Sequence, residues 1–211
     1  MSNQIPTPSL KRIPMYYREL KRAMENGTNF VNSTQLGEAL GIPSTQVRKD
    51  LSYISEQGRP GVGYNTATLT NTLEKYLGLH LPKKAVLAGV GNLANALIHF
   101  PGFHLYGIDI CLLFDNDPEK IGKTLADKEI HHIDEIGLLL KKVKVSIGII
   151  TTPAVSAQSV AQKMIAGGIT SIWNFSPITL LCPGNIFVLN QDLSMEMAIL
   201  SHSVINMTNL D

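Results

Sequence analysis

Ala85-Val86-Leu87-Ala88-Gly89-Val90-Gly91-Asn92-Leu93-Ala94 decides how the rest of this 211-residue chain is read. Four uninterrupted apolar residues suit a strand buried on both faces of a parallel sheet. They run directly into a G-x-G-x-x-A sequence, and Ala96, Leu97 and Ile98 continue it as a helix. The first glycine permits a tight strand-to-helix turn and the second lets backbone amides approach a pyrophosphate. The small Ala94 lets the helix pack on the strand. A second strand, Ile110 to Phe114, ends in Asp115, 21 residues past Ala94. An acid at that place accepts hydrogen bonds from a ribose 2′-hydroxyl and repels a 2′-phosphate, which favours NAD(H) over NADP(H). Asp115 also reads as a cap or turn residue before Pro118, which is expected to begin the next helix.

Working outward toward the C-terminus, the grammar of alternating strands and helices continues. Val145 to Thr151, Ser171 to Phe175 and Ile186 to Leu189 read as strands, with a helix through Val160 and Met164. Thr152-Pro153 and Ser176-Pro177 fall at strand C-terminal ends, the ligand edge of a doubly wound sheet. The expected cofactor-binding set is Gly89, Val90, Gly91, Asn92, Leu93, Ala94, Asp115, Lys120, Thr152 and Pro153. Leu193 to Val204 reads as a last helix whose Met195, Met197, Ala198, Ile199, Leu200 and Val204 exceed what one exposed face needs, as in an interface or core helix.

Toward the N-terminus the pattern is helical. Pro14 suits a first helical position, and Tyr16, Leu20, Ala23 and Met24 follow at spacings of three and four, with Gly27 as a stop. Asn29 to Val31 is extended. Asn32 or Ser33 caps a second helix carrying Leu36, Ala39 and Leu40, and Gly41-Ile42-Pro43 breaks it. Ser44 caps a third helix, Thr45 to about Ser55, whose apolar side is Val47, Leu51 and Ile54. Two short helices around a tight turn are the helix-turn-helix signature. Thr45, Gln46, Arg48, Lys49 and Ser52 lie off the apolar stripe and are the residue types that meet base edges and phosphates in a major groove. Gly58-Arg59-Pro60-Gly61-Val62-Gly63-Tyr64 then offers a glycine-rich tip with an arginine and no acid, placed where a winged helix carries its wing and suited to a minor groove. The full DNA-facing set expected is Arg12, Ser44, Thr45, Gln46, Arg48, Lys49, Ser52, Tyr53, Arg59 and Gly61.

Composition bounds these readings. With 44% apolar and 17% charged residues the chain is globular rather than disordered. Ala85 to Ile108 and Met164 to Gln191 contain no Asp, Glu, Lys or Arg, but their Gly, Pro, Asn, Ser and Thr residues argue against a bilayer span. Met1 to Pro14 has no apolar core of a secretory signal, and two cysteines, Cys111 and Cys182, make no disulfide framework, so a cytoplasmic location is expected. No Cys/His spacing suggests a metal site. The formal net charge of +1 divides into nine Lys/Arg against six acids over residues 1–80 and nine against eleven over residues 81–211. A basic front and a slightly acidic back suit a nucleic-acid-facing head on a ligand-binding body. A dehydrogenase would need a substrate domain and a positioned acid/base. Almost no chain remains for the former, and none of the six histidines forms a relay, so no catalytic residues are expected.

The sequence also resembles a known family, the redox-sensing transcriptional repressor Rex, from about Leu10 to Val204. The carriers are Val47-Arg48-Lys49-Asp50-Leu51-Ser52-Tyr53, Gly61-Val62-Gly63-Tyr64, Gly89-Val90-Gly91-Asn92-Leu93, Pro101-Gly102-Phe103 and Phe114-Asp115-Asn116-Asp117-Pro118-Glu119-Lys120. His132-Ile133-Asp134-Glu135, Asn174-Phe175-Ser176-Pro177 and Asn190-Gln191-Asp192-Leu193-Ser194 complete them. The resemblance implies an α/β protein: a winged-helix DNA-binding domain (1–80), a Rossmann NAD(H)-binding domain (81–191) and a swapped, dimerising C-terminal helix (192–211). It implies a homodimer on a pseudo-palindromic operator, released from the DNA when NADH binds, with NAD+ competing poorly or supporting the DNA-bound form. It implies that Arg18 and Asp192 form a pair remade on switching, with Phe100 a further switch residue. Ala94 stands for a third glycine and Phe100 for a common tyrosine. Thr151 and Thr152 stand for more apolar residues and Ser176 for an alanine. The alternatives are a small NAD-dependent oxidoreductase, a DNA-binding paralogue without nucleotide response, and a CoA-binding or purely dimerising body.

Overall fold

The computed structural model describes residues 5–54 and 58–208, in two compact units that divide between Leu81 and Pro82. The first unit is helical. Its elements are α1 (Thr7–Glu25), β1 (Phe30–Val31), α2 (Ser33–Leu40), α3 (Ser44–Ser52), β2 (Tyr64–Asn65) and α4 (Thr66–Tyr76). Helix α1 packs on α2, α3 and α4, and α2 packs on α3. Ile13, Tyr16 and Leu20 of α1 are fully buried, as are Val47 and Leu51 of α3 and Leu73 of α4. Strands β1 and β2 pair antiparallel, Phe30 with Asn65 and Val31 with Tyr64.

Two local expectations change here, those for Pro14 and Ser44, and the choice between Asn32 and Ser33 as cap is resolved. Pro14 lies inside α1 rather than opening it, because Pro8 already occupies the first turn, where a missing N–H costs nothing. Asn32 caps α2 through a reciprocal pair of bonds: its side chain accepts from the Thr34 and Gln35 amides at 3.0 and 2.9 Å, and the Asn32 amide donates to Gln35 Oε1 at 2.8 Å. Ser44 is not a cap but the first residue of α3. The preceding Pro43 is extended, its carbonyl takes the first helical bonds from Gln46 and Val47, and no side chain caps the end. The helix closes at Ser52, with Tyr53 and the buried Ile54 following it, and the expected end at Ser55 lies outside the described residues.

The second unit is a seven-stranded sheet in the order β5-β6-β4-β3-β7-β8-β9, drawn from β3 (Lys83–Ala88), β4 (Ile108–Asp115), β5 (Thr124–Leu125), β6 (Lys128–His132), β7 (Ile147–Ile150), β8 (Ser171–Asn174) and β9 (Phe187–Asn190). All pairs are parallel except the β5–β6 hairpin. The helices are α5 (Asn92–Ile98), α6 (Gly102–Leu105), α7 (Ile136–Lys142), α8 (Ala154–Ala166) and α9 (Leu193–Thr208). Strand order reverses between β3 and β7, which is where a doubly wound sheet opens a ligand crevice at its carboxyl edge. Apolar clusters cover both sheet faces, one containing Leu87, Ala94, Leu113 and Ile149, the other Val86, Phe114, Ile150, Ala161 and Met164.

Pro118 does not begin a helix. Asp117 to Gly122 form turns, and the chain passes into the β5–β6 hairpin through Ala126 and Asp127, both with positive φ (49° and 60°). That pair of left-handed residues makes a two-residue turn matched to strand twist.

Candidate functional site

In the first unit, the face of interest is built by α3 and the loop after it. Thr45, Arg48, Lys49 and Ser52 are exposed. Arg48 Nη1 donates to Ser33 Oγ at 2.8 Å, which fixes the direction of its guanidinium, and Ser52 Oγ donates back to the Lys49 carbonyl at 2.7 Å. Residues 58–63 form a tight hairpin closed by Arg59 and Gly63, whose amides and carbonyls bond reciprocally at 2.8 and 2.9 Å, and Arg59, Pro60 and Gly61 are exposed on it. Arg48, Ser52 and this hairpin line one cleft of about 540 Å³, together with Asn32, Ser33 and Tyr64. Asn32, Ser33 and Tyr64 were absent from the expected set, although their adjacency through β1 and β2 follows from the pairing.

Two expected contact residues point elsewhere. Arg12 donates through Nε and Nη2 to Asp50 at 2.6 and 2.9 Å, and Gln46 Nε2 donates to the same carboxylate at 2.8 Å. Tyr16 adds its hydroxyl at 2.7 Å. Asp50 itself is fully buried. Burial pushes its carboxyl up, but the bonds from Arg12, Tyr16, Gln46 and Ser9 prevail and hold it down at about 2. Arg12 is raised above its ordinary range chiefly by its bond to Asp50. This cluster therefore anchors α3 to α1. Ser44 and Tyr53 are half-buried at the two ends of α3.

In the second unit, a cavity of about 610 Å³ opens at the carboxyl ends of the strands, between the turn after β3 and the start of α8. Gly89 has φ +95°, and a Cβ there would lie 2.8 Å from the Thr151 carbonyl carbon and the Thr152 amide, so only glycine fits. Gly91 lines the cavity and a Cβ there would meet nothing within 4 Å, which leaves an approach to the backbone clear. No side chain caps α5 behind it. Ala94 is fully buried against the sheet, where a small side chain was expected. Val90, also buried, donates its amide to Asp115 Oδ2 at 2.7 Å.

Asp115 also accepts from Lys120 Nζ at 3.2 Å on Oδ2, and from the Asn116 and Asp117 amides at 2.8 and 2.9 Å on Oδ1. Burial opposes its charge, but the Asp117 and Val90 amides and Lys120 outweigh burial and keep the carboxyl below the ordinary range. Thr151 Oγ1 donates to the Gly89 carbonyl at 2.8 Å, and Ser176 Oγ to the Thr152 carbonyl at 2.6 Å, so two of the departing residues brace this edge. Thr152 Oγ1 is buried with no partner among the described residues while its residue lines the cavity, an orphan that a bound polar ligand would satisfy. Pro153 lines the cavity too, with Asp117, Ile133, Ser156, Ser159 and Lys163, which were outside the expected set. Asn92 and Leu93 begin α5. The glycine cradle, the orphan hydroxyl and the absence of a capping side chain fit a dinucleotide.

Of the expected switch residues, Arg18 is exposed on α1, and Asp192 caps α9, accepting from the Ser194 and Met195 amides at 2.9 and 3.4 Å. Phe100 is 55% exposed and meets Phe103 edge-on at 5.3 Å; Phe103 in turn meets Trp173 at 5.9 Å. No group of three metal-ligating side chains occurs among the described residues, and no described helix is long and apolar enough to cross a membrane.

Residues 4–52 match the family described as "Putative DNA-binding protein N-terminus", and residues 80–178 match "CoA binding domain". The redox-sensing transcriptional repressor Rex of Pelotomaculum thermopropionicum is 41% identical over 202 residues, covering 96% of this chain and 95% of that protein. This chain belongs to the Rex family. The Rex of Bacteroides fragilis is 37% identical over 94% of this chain and 90% of its own length. Among solved structures, the family member RSP in complex with β-NAD+ and operator DNA superposes with a TM-score of 0.92 at 29% identity, covering 99% of this chain and 96% of RSP. RSP in complex with β-NADH gives 0.86 at 29% identity, over 98% and 97% of the two chains. Rex proteins carry the name of transcriptional repressors, not enzymes, and the "CoA binding domain" match falls on the second unit.

Proposed function

We propose that this chain is a cytoplasmic, homodimeric repressor that binds operator DNA through its first unit and NAD(H) through its second, and leaves the operator when NADH binds. The observation that carries the proposal is the pairing, in one chain, of an arginine-lined α3-hairpin cleft with a glycine-cradled crevice at the switch point of a parallel sheet. Each taken alone is common; RSP, which superposes along the whole chain, binds both kinds of ligand.

In this reading Thr45, Arg48, Lys49 and Ser52 face the major groove, and Arg59 and Gly61 enter the minor groove. Arg12 and Gln46 act through Asp50 by fixing how α3 is presented. Gly89, Gly91 and the start of α5 receive the pyrophosphate, with Thr152 and Pro153 beside it. A second copy covers α9, where Leu193, Met195, Met197, Ile199, Leu200 and Val204 are each more than half exposed. Bound nicotinamide nucleotide supplies no chemistry here beyond its redox state, so the protein's task is to bind the two forms unequally. A coupling of about 1–3 kcal/mol between nucleotide and DNA is enough for such a switch.

The test is fluorescence anisotropy of a labelled duplex, selected from a random library for binding to the protein, titrated with NADH and separately with NAD+. NADH should release the duplex at far lower concentration than NAD+. An intact complex at saturating NADH removes the sensor function and leaves a DNA-binding paralogue; steady hydride turnover with a substrate would favour the oxidoreductase.

A further inference from the structure

We propose that Asp117, rather than Asp115, is the carboxylate that reads the adenine-side ribose, and that with Lys120 it sets the choice of NAD(H) over NADP(H); this rests on the nucleotide reading above. The argument is one of acceptor capacity. An ionised carboxylate offers about four lone-pair positions. All four of Asp115 are occupied inside the protein, by the Val90 amide and Lys120 on one oxygen and the Asn116 and Asp117 amides on the other. Three of these donors are backbone groups, and releasing them would open the turn that follows β4. Asp115 is also only 6% exposed. Its work is to tie the glycine turn to the end of β4.

Asp117 lines the same cavity with a side chain 39% exposed. One of its oxygens accepts the Glu119 amide at 2.9 Å, and the other has Lys120 Nζ at 3.6 Å, an ion contact beyond hydrogen-bond length. It therefore keeps capacity for the hydroxyls of a ribose diol. Charge selects in the same direction. Lys120 stands between two carboxylates, and the cavity's other ammonium, Lys163, is paired with Asp134. The corner is left with an excess negative charge, which a 2′-phosphate dianion would meet. The unpartnered Thr152 Oγ1 in the wall of this cavity independently marks it as a place built for a polar ligand.

Calorimetric titration of the full-length protein with NADH and with NADPH tests the assignment in three forms: wild type, Asp117→Asn and Asp115→Asn, with thermal melts of each. Wild type should prefer NADH. Asp117→Asn should lose about tenfold in NADH affinity and narrow the NADH-to-NADPH ratio by at least that factor, since a hydrogen bond to a charged group and a repelling charge are both removed, with the melt unchanged. Asp115→Asn should lower the melting temperature and weaken both nucleotides alike, leaving the ratio intact. An unchanged ratio in Asp117→Asn, or a ratio that collapses only in Asp115→Asn, overturns the assignment while the nucleotide reading stands. Wild type that binds neither nucleotide overturns both. If Asp115→Asn fails to fold, the ratio in Asp117→Asn decides alone.

Discussion

Replacing Asp50 by Asn tests whether a buried carboxylate fixes the presentation of α3. Four donor groups converge on its two oxygens: Arg12 Nε and the Tyr16 hydroxyl on one, Arg12 Nη2 and Gln46 Nε2 on the other. An asparagine oxygen offers two acceptor positions, so two donors lose their partner, and its amide group faces donors. Removing one member of a buried pair costs about 3–5 kcal/mol. Arg12 is 23% exposed, so water recovers part of the loss and the lower end, about 3 kcal/mol, applies. Native-state hydrogen exchange reads this locally: α3 amides should exchange roughly a hundredfold faster, while β3 and β7 amides in the other unit serve as the unchanged reference. A second arm uses acid. Asp50 is held at about 2 against an ordinary 3.8, so its stabilisation is present above pH 3.8 and is lost as pH falls through 2. The loss amounts to about 2 kcal/mol in the wild type and is absent in the variant. An α3 exchange rate within about threefold of wild type, or an identical acid profile, would refute the anchoring role.

Gly89→Ala places a methyl group 2.8 Å from the Thr151 carbonyl carbon at a φ of +95°, so NADH binding, followed by energy transfer from Trp173, should be abolished while operator binding by the first unit persists. Arg59→Ala should weaken DNA binding and lower the slope of log affinity against log salt by about one, with NADH affinity unchanged. Thr152→Val removes a buried hydroxyl with no partner, so the nucleotide-free protein should gain about 1 kcal/mol in denaturant titration while NADH affinity falls. Ile199→Asp, on the exposed apolar α9, should abolish the proposed dimer, leaving monomer in sedimentation, and cost operator affinity.

What was legible from sequence, and what was not, follows the range of the interactions involved. The turn at Gly89 could be read because strand, glycine spacing and helix are consecutive, and its backbone demands are local. The hairpin tip at Arg59 could be read for the same reason. The β5–β6 hairpin was missed because Ala126-Asp127 takes left-handed geometry without the Asn-Gly signal that announces it, and Pro14 misled because a second proline upstream already opened α1. Side-chain roles failed in a more instructive way. Periodicity placed Gln46 off the apolar stripe, and spacing placed Asp115 at the carboxyl end of its strand, where the structure has them. Neither shows that Gln46 turns to a carboxylate that also binds Arg12, 38 residues from it in sequence, or that Asp115 is claimed by an amide 25 residues earlier.

The two units thus share a construction. In each, one acid, Asp50 or Asp115, is saturated by donors and holds the backbone, and the proposed ligand contacts fall to neighbours with capacity left over, Arg48 and Lys49 in one unit and Asp117 in the other. Sequence motifs locate such a neighbourhood because they record backbone geometry. Deciding which of two adjacent acids touches a ligand requires counting acceptors against donors, and those donors arrive from elements that only the fold brings together.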